Sequence, residues 1–255
     1  LEWGYDNAYG TNVLTGTGYF NGYGGNWYDW YITCPTGIAQ TLAVIEKDIY
    51  SQMGETEGKE LILKYLLPTH KFLTGLSSSD GSNLLLKAYA AIGVGFLEGD
   101  VKRVIEARDY SQIAFQYVEN LDFIPYSATE KTDNGFHTDG SYVMHTKHAM
   151  TGSYGAHQIE YAARVISLVG GTKFKMYSPL TEHTGQWIIN GYDPVMYKGG
   201  VMSMVTGRTR KTHRYVEKYN GILILGGMLD FLKAGVIDEK YLPRVKEIIK
   251  YHLAE

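Results

Sequence analysis

A chain of 255 residues, 44% apolar and 20% charged, is long enough for one large domain or two small ones, and its composition is globular rather than disordered. A formal charge of −3 supplies no general basic field, which excludes nucleic acid as a partner except through a local basic patch. The single cysteine, Cys34, rules out an internal disulfide framework without fixing the compartment, and no run of about 18 apolar residues is present to span a membrane.

The chain begins Leu1-Glu2-Trp3, with neither an initiator Met nor a signal peptide, and reads as a processed or excised piece of something longer. The 22 tyrosines and 4 tryptophans are its compositional oddity: aromatic faces with polar tips suit sugar stacking and also ordinary core edges. Residues 1–33 are rich in Gly, Asn, Tyr and Trp without a helical period. Among them, Asn26-Trp27-Tyr28-Asp29-Trp30 groups three aromatics, either a stacking platform for sugar or a buried plug. Pro35 suits a first helical turn, and Ile38, Leu42, Ile45 and Ile49 then form one apolar helix face.

A second helical stretch covers roughly 56–74, with Pro68 placed to kink or split it. A third, Asn83 to Leu97, is apolar nearly all round, as an inner helix would be. A fourth, about 101–118, is amphipathic, with Arg103, Glu106, Arg108 and Asp109 polar. Residues 119–153 read as a long irregular segment, the kind that is usually functional inside a compact domain. A helix at about 155–169 stops at Gly170-Gly171, and another is expected over 179–190. Residues 195–206 look extended or looped, and helices at about 220–234 and 238–253 close the chain. In the last, Leu242, Val245, Ile249 and His252/Leu253 make the buried stripe. Strand signals are nearly absent, so the expected fold is all-α, an assembly of helical hairpins.

Chemistry concentrates in Asp139-Gly-Ser-Tyr-Val-Met-His145-Thr-Lys-His148-Ala-Met-Thr151-Gly-Ser-Tyr154-Gly155. His145 can accept a proton near neutral pH and Tyr154 can donate one or, ionised, remove one. The bland alternative is a hydrogen-bonding histidine and a helix-start aromatic. Asp139 reads equally well as the cap of a turn. His137, His145, His148 and His157 are alternative metal ligands, but there is no HExxH, and Gly152 and Gly155 interrupt any continuous helix across them. The dense basic cluster is Gly207-Arg208-Thr-Arg210-Lys211-Thr-His213-Arg214, a candidate clamp for carboxylate or sulfate, or else a solvated basic loop.

Taken together, these segments resemble the hyaluronate, chondroitin AC and xanthan lyases of polysaccharide lyase family 8. Asn26-Trp-Tyr-Asp-Trp-Tyr-Ile-Thr-Cys-Pro35 matches much of the family pattern Asn-Trp-Trp-Asp-Trp-Glu-Ile-Gly-x-Pro. Asp139 to Gly155 matches Asp-Gly-Ser-[Tyr/Phe]…His…Tyr-Thr-Gly-x-Tyr-Gly, with Met150 in place of the first Tyr. Gly-Ser-Asn83 resembles the family's Gly-Ala-Asn, and Gly207-Arg208 falls where its Gly-Arg is expected.

The resemblance implies an incomplete (α/α) toroid filling residues 1–255 as one catalytic-domain fragment, with upstream helices and a C-terminal β-sandwich absent. It implies a secreted bacterial enzyme that cleaves an acidic, uronate-containing polysaccharide by β-elimination, with neither metal nor cofactor required. By that carry-over Asn83 binds the uronate carboxylate, His145 and Tyr154 serve as base and acid, and Arg208 steadies the developing charge. Asn26, Trp27, Tyr28, Arg210 and Arg214 contact substrate. The departures are Thr212 where the family has a second Arg, a longer gap between Asn83 and His145, and Tyr28 and Met150 in the aromatic lining. A non-catalytic carbohydrate-binding toroid and a metal-dependent glycan hydrolase stand as alternatives.

Overall fold

The computed structural model describes residues 2–6, 27–119, 133–177, 181–207 and 215–254. They fall into two compact units, Leu1–Leu76 with Tyr89–Ala107, and Ser77–Ala88 with Arg108–Glu255.

In the first unit the chain is already helical at Trp27, and a π-helical turn over Asp29–Thr33 leads into α1, Cys34–Met53, with Pro35 in its first turn. This corrects the expectation that residues through 33 lack helix. The wide turn offsets successive side chains, so the 3.6-residue period is lost. Gly54, at φ +82°, then turns the chain directly into α2, Glu55–Leu66. The apolar faces of this hairpin meet in a core of Ala39, Leu42, Ile62, Tyr65, Leu66 and Val94, with Ile38 and Ile49 packed at its edge. Pro68, which has no N–H to give the α-helix, lies in a tighter 3₁₀ turn over Leu67–Lys71 that follows α2. The nearly buried Glu98 carboxylate takes His70 on one oxygen and Arg103 on the other.

Helix α3, Gly81–Glu98, begins in the second unit and is apolar nearly all round, with Leu84, Leu85, Leu86, Ala88, Ala91, Ile92 and Val94 buried. Helix α4 is Val101–Ser111 and ends short of the expected 118. Ser111 Oγ donates to the Arg108 carbonyl at 2.7 Å, and a 3₁₀ turn over Gln112–Phe115 gives way to extended backbone at Gln116. The stretch expected to be irregular holds, in its described part, a three-stranded antiparallel sheet: β1 Gly135–Phe136, β2 Tyr142–Met144 and β3 His148–Ala149. Strands of two or three residues are too short to carry a legible alternation.

Helix α5, Tyr154–Gly170, stops at Gly171 as its glycines imply. Helix α6, His183–Gln186, continues as a π-helical segment over Trp187–Tyr192. Strands β4, Met196–Tyr197, and β5, Gly200–Val201, form a two-residue hairpin. Helices α7, Val216–Ala234, and α8, Leu242–Leu253, complete the unit. In α8, Val245, Ile248, Ile249 and His252 are buried, whereas Leu253, the last helical residue, is 53% exposed and leaves the expected stripe. Trp187 anchors the core, stacking on Phe136 at 4.6 Å and Phe115 at 5.7 Å between ring centroids. The all-α expectation holds, with small hairpins inserted between helices. Among the described residues no helix is long and apolar enough to cross a membrane.

Helices α5 and α7 approach closely because Gly227 lies on Ile159. A Cβ at Gly227 would stand 2.9 Å from Ile159 Cγ1 and 3.0 Å from its carbonyl oxygen. Gly227→Ala is therefore expected to destabilise the protein by about 1–3 kcal/mol, the scale of an overpacked core. Chemical denaturation measures it, and an unchanged midpoint would show that the two helices separate freely.

Candidate active site

Local backbone geometry places His145. The register pairs Gly135 with Val143, Phe136 with Tyr142, Val143 with Ala149 and Met144 with His148, leaving His145, Thr146 and Lys147 as the turn between β2 and β3. His145 and Thr146 both have left-handed backbone, at φ 54° and 63°. That conformation costs an L-residue about 1–2 kcal/mol, so the surroundings must hold it. Asn134 does so in part: its Oδ1 accepts the Thr146 N–H at 2.9 Å.

The turn brings His145 Nε2 to 3.3 Å from the hydroxyl of Tyr154, the first residue of α5. The rings meet edge to face, with centroids 5.2 Å apart. A proton can pass directly between imidazole and phenol at this separation.

The start of α3 is tied to the same sheet. Ser82 N–H, one of the helix's unmatched N-terminal donors, gives its hydrogen bond to the buried Tyr142 hydroxyl at 2.8 Å. That hydroxyl also lies 3.4 Å from Oε1 of the fully buried Gln158, whose amide donates to the Ala114 carbonyl at 2.6 Å. Burial pushes the Tyr142 phenol well above the usual tyrosine range, so it stays protonated. Gly81, at φ +48°, allows the close approach, since a Cβ there would sit 2.8 Å from the Tyr142 oxygen. Asn134 Nδ2 donates to Asp80 Oδ2 at 2.7 Å and fixes the same turn. Asn83 therefore sits in the first turn of a helix whose beginning is fastened to the hairpin of His145. It is half-buried, and among the described residues nothing engages its amide. One turn on, Lys87 Nζ runs back to Ser79 Oγ at 2.8 Å, and burial lowers its ammonium pKa.

Trp27, 38% exposed, and Tyr28 belong to the first unit and meet edge to face at 6.1 Å. Asn26, Arg208, Arg210 and Arg214 lie outside the described residues. The segment leading to Arg208 is nonetheless tied to the site, because Gly152 N–H donates to the Val205 carbonyl at 3.0 Å and Met150 packs on Gly207. Asp139 caps a turn: Ser141 donates to it from side chain and backbone, which holds its carboxyl below the usual carboxylate range. His137 pairs with Glu119 at 2.7 Å, and His157 with Glu160 at 3.3 Å. Among the described residues no three His, Cys, Asp or Glu side chains gather as a metal site. Sequence reasoning missed Asn134, Tyr142 as a fastener, Gln158 and Lys87. Only Tyr142 carried a signal, its place within the Asp139–Gly155 motif.

The second unit is a helical scaffold that brings a histidine and a tyrosine within hydrogen-bonding distance, on a hairpin tied to the helix start that bears Asn83. The chain belongs to polysaccharide lyase family 8, since residues 6–251 match that family's N-terminal α-helical domain. It is 28% identical over 208 residues to a xanthan lyase of Bacillus sp. (strain GL1), covering 82% of this chain and 20% of that protein. It is 25% identical over 264 residues to a hyaluronate lyase of Staphylococcus aureus (strain NCTC 8325 / PS 47), covering 98% and 31%. The fold matches Paenibacillus xanthan lyase at a TM-score of 0.72, with 23% identity over 90% of this chain and 20% of that one. It matches Streptomyces coelicolor A3 chondroitin AC lyase, solved with chondroitin sulphate, at 0.69, with 20% identity over 92% and 31%. The chain thus spans between a fifth and a third of the length of these relatives.

Tyr142→Phe removes the acceptor for the Ser82 N–H while preserving ring packing. Leaving a buried donor unmatched is expected to cost about 1–3 kcal/mol. A wild-type unfolding free energy in that variant would mean that the start of α3 is held by other contacts.

Proposed function

We propose that this chain carries the acid–base machinery of a polysaccharide lyase that cleaves a uronic-acid-containing polymer by β-elimination. The observation that carries the reading is the His145–Tyr154 pair, 3.3 Å apart, on a hairpin fastened to the helix start that bears Asn83. In β-elimination a base removes the C5 proton, the C5 electron pair forms the C4–C5 double bond, and the C4–O bond breaks as the leaving oxygen takes a proton. The C5 proton is only weakly acidic, so charge building on the neighbouring carboxylate must be stabilised.

In this reading the Asn83 amide donates to that carboxylate. His145 takes the C5 proton, or shares that work with Tyr154. Tyr154 protonates the departing glycosidic oxygen, and Arg208 steadies the charge. Trp27 and Tyr28 stack on sugar rings, while Asn26, Arg210 and Arg214 hold polar and anionic groups of the chain.

Hyaluronan, chondroitin and xanthan are the substrate candidates, because the relatives and structural neighbours carry those names. Such polymers are met outside the cell, so secretion fits the reading. The chain spans 31% of the Staphylococcus aureus relative, and in this reading further segments of the parent protein, a β-sandwich among them, complete the cleft.

Tyr154→Phe in the full-length protein is expected to abolish turnover nearly completely while retaining polymer binding, followed by ultraviolet absorbance of the unsaturated uronate and by affinity electrophoresis. Unchanged turnover would remove Tyr154 from the mechanism. Asn83→Ala is expected to cost about 3–4 kcal/mol in kcat/KM, the scale of a lost oxyanion donor. A loss confined to KM would make Asn83 a binding residue only.

A further inference from the structure

Asn134 has no role in the chemistry just described, yet its amide joins the two parts of the site. One face of the group accepts the Thr146 N–H at 2.9 Å, in the left-handed turn that carries His145. The other face donates to Asp80 Oδ2 at 2.7 Å, in the turn that opens α3 three residues before Asn83. The next residue, Gly135, is paired with Val143 in the sheet, so the amide is delivered from a fixed strand and not from a free loop.

We propose that Asn134 is a positioning residue, an amide clamp that holds the His145 turn in its left-handed conformation and registers it against the helix start bearing Asn83. The inference rests on the lyase reading above. Its chemistry is specific to a carboxamide. One planar group must accept on one side and donate on the other, and a carboxylate offers acceptors only. A carboxylate there would also face that of Asp80 with like charge. Without the clamp, His145 and Thr146 can relax toward ordinary backbone and carry the imidazole away from the Tyr154 hydroxyl.

The test uses the full-length protein, comparing wild type, Asn134→Ala, Asn134→Asp and the double exchange of Asp80→Asn with Asn134→Asp. The exchange restores the geometry with donor and acceptor reversed, while the carboxylate introduced at position 134 still accepts from Thr146. Asn134→Ala and Asn134→Asp are expected to lower kcat by about 10- to 100-fold, the scale of a small misplacement of catalytic groups, with KM and the thermal midpoint changing little. The exchange is expected to return most of that kcat. Wild-type kcat in Asn134→Asp, or a loss that the exchange fails to restore, would overturn the proposal. If the wild-type protein forms no unsaturated product, the lyase reading itself fails. The clamp is then read from hydrogen exchange at the Thr146 amide, expected to be protected in wild type and open in Asn134→Ala. An unprotected amide in wild type would overturn the clamp independently.

Discussion

Tyr142 places its ring among Phe136 and the core of the second unit, and its hydroxyl takes the Ser82 N–H at the beginning of α3. The site depends on this junction. A helix start has backbone donors with no partner inside the helix, and burying one without an acceptor is costly. Supplying the acceptor from β2 means that α3 and the His145 hairpin cannot be placed independently. The Gln158 amide beside the same oxygen, itself anchored on the Ala114 carbonyl, brings α5 into the junction and with it Tyr154. Asn83, His145 and Tyr154 therefore come from three elements that share one buried polar centre.

That arrangement suits a reaction in which little needs to move. Under the proposed elimination a proton leaves C5 and another reaches the oxygen on the adjacent C4, chemistry that calls for groups held at fixed separations. The strain of two consecutive left-handed residues at His145 and Thr146 belongs to the same logic. Such backbone persists where neighbouring bonds over-determine it, and the bond from Asn134 is one of them. The exposed indole of Trp27 lies in the first unit, where the π-helical turn displaces the aromatics from the regular helix face.

Much of this was legible in the sequence because it rests on local rules. The spacing of Ile38, Leu42, Ile45 and Ile49, the largely apolar run after Asn83 and the Gly170-Gly171 stop each translate directly into a helix or its end. The nine-residue interval from His145 to Tyr154 marked two side chains that the structure brings within 3.3 Å of each other. The small sheet was not legible, since its strands of two or three residues are too short to alternate. Asn134 was invisible for another reason. It bonds to Asp80, 54 residues away, and Thr146, 12 away, and nothing in a lone Asn before a glycine announces either. The same holds for Gln158, which looks like any polar residue on an amphipathic helix but is fully buried.

The most direct test of elimination is the fate of solvent oxygen. The full-length protein would be incubated with hyaluronan, chondroitin sulfate and xanthan in water enriched in heavy oxygen, and the fragments weighed by mass spectrometry. Elimination predicts unsaturated fragments that carry no solvent oxygen, because the leaving oxygen comes from the polymer and the new end is a double bond. Saturated fragments bearing one solvent oxygen per cleavage would contradict the account and assign the site to hydrolysis.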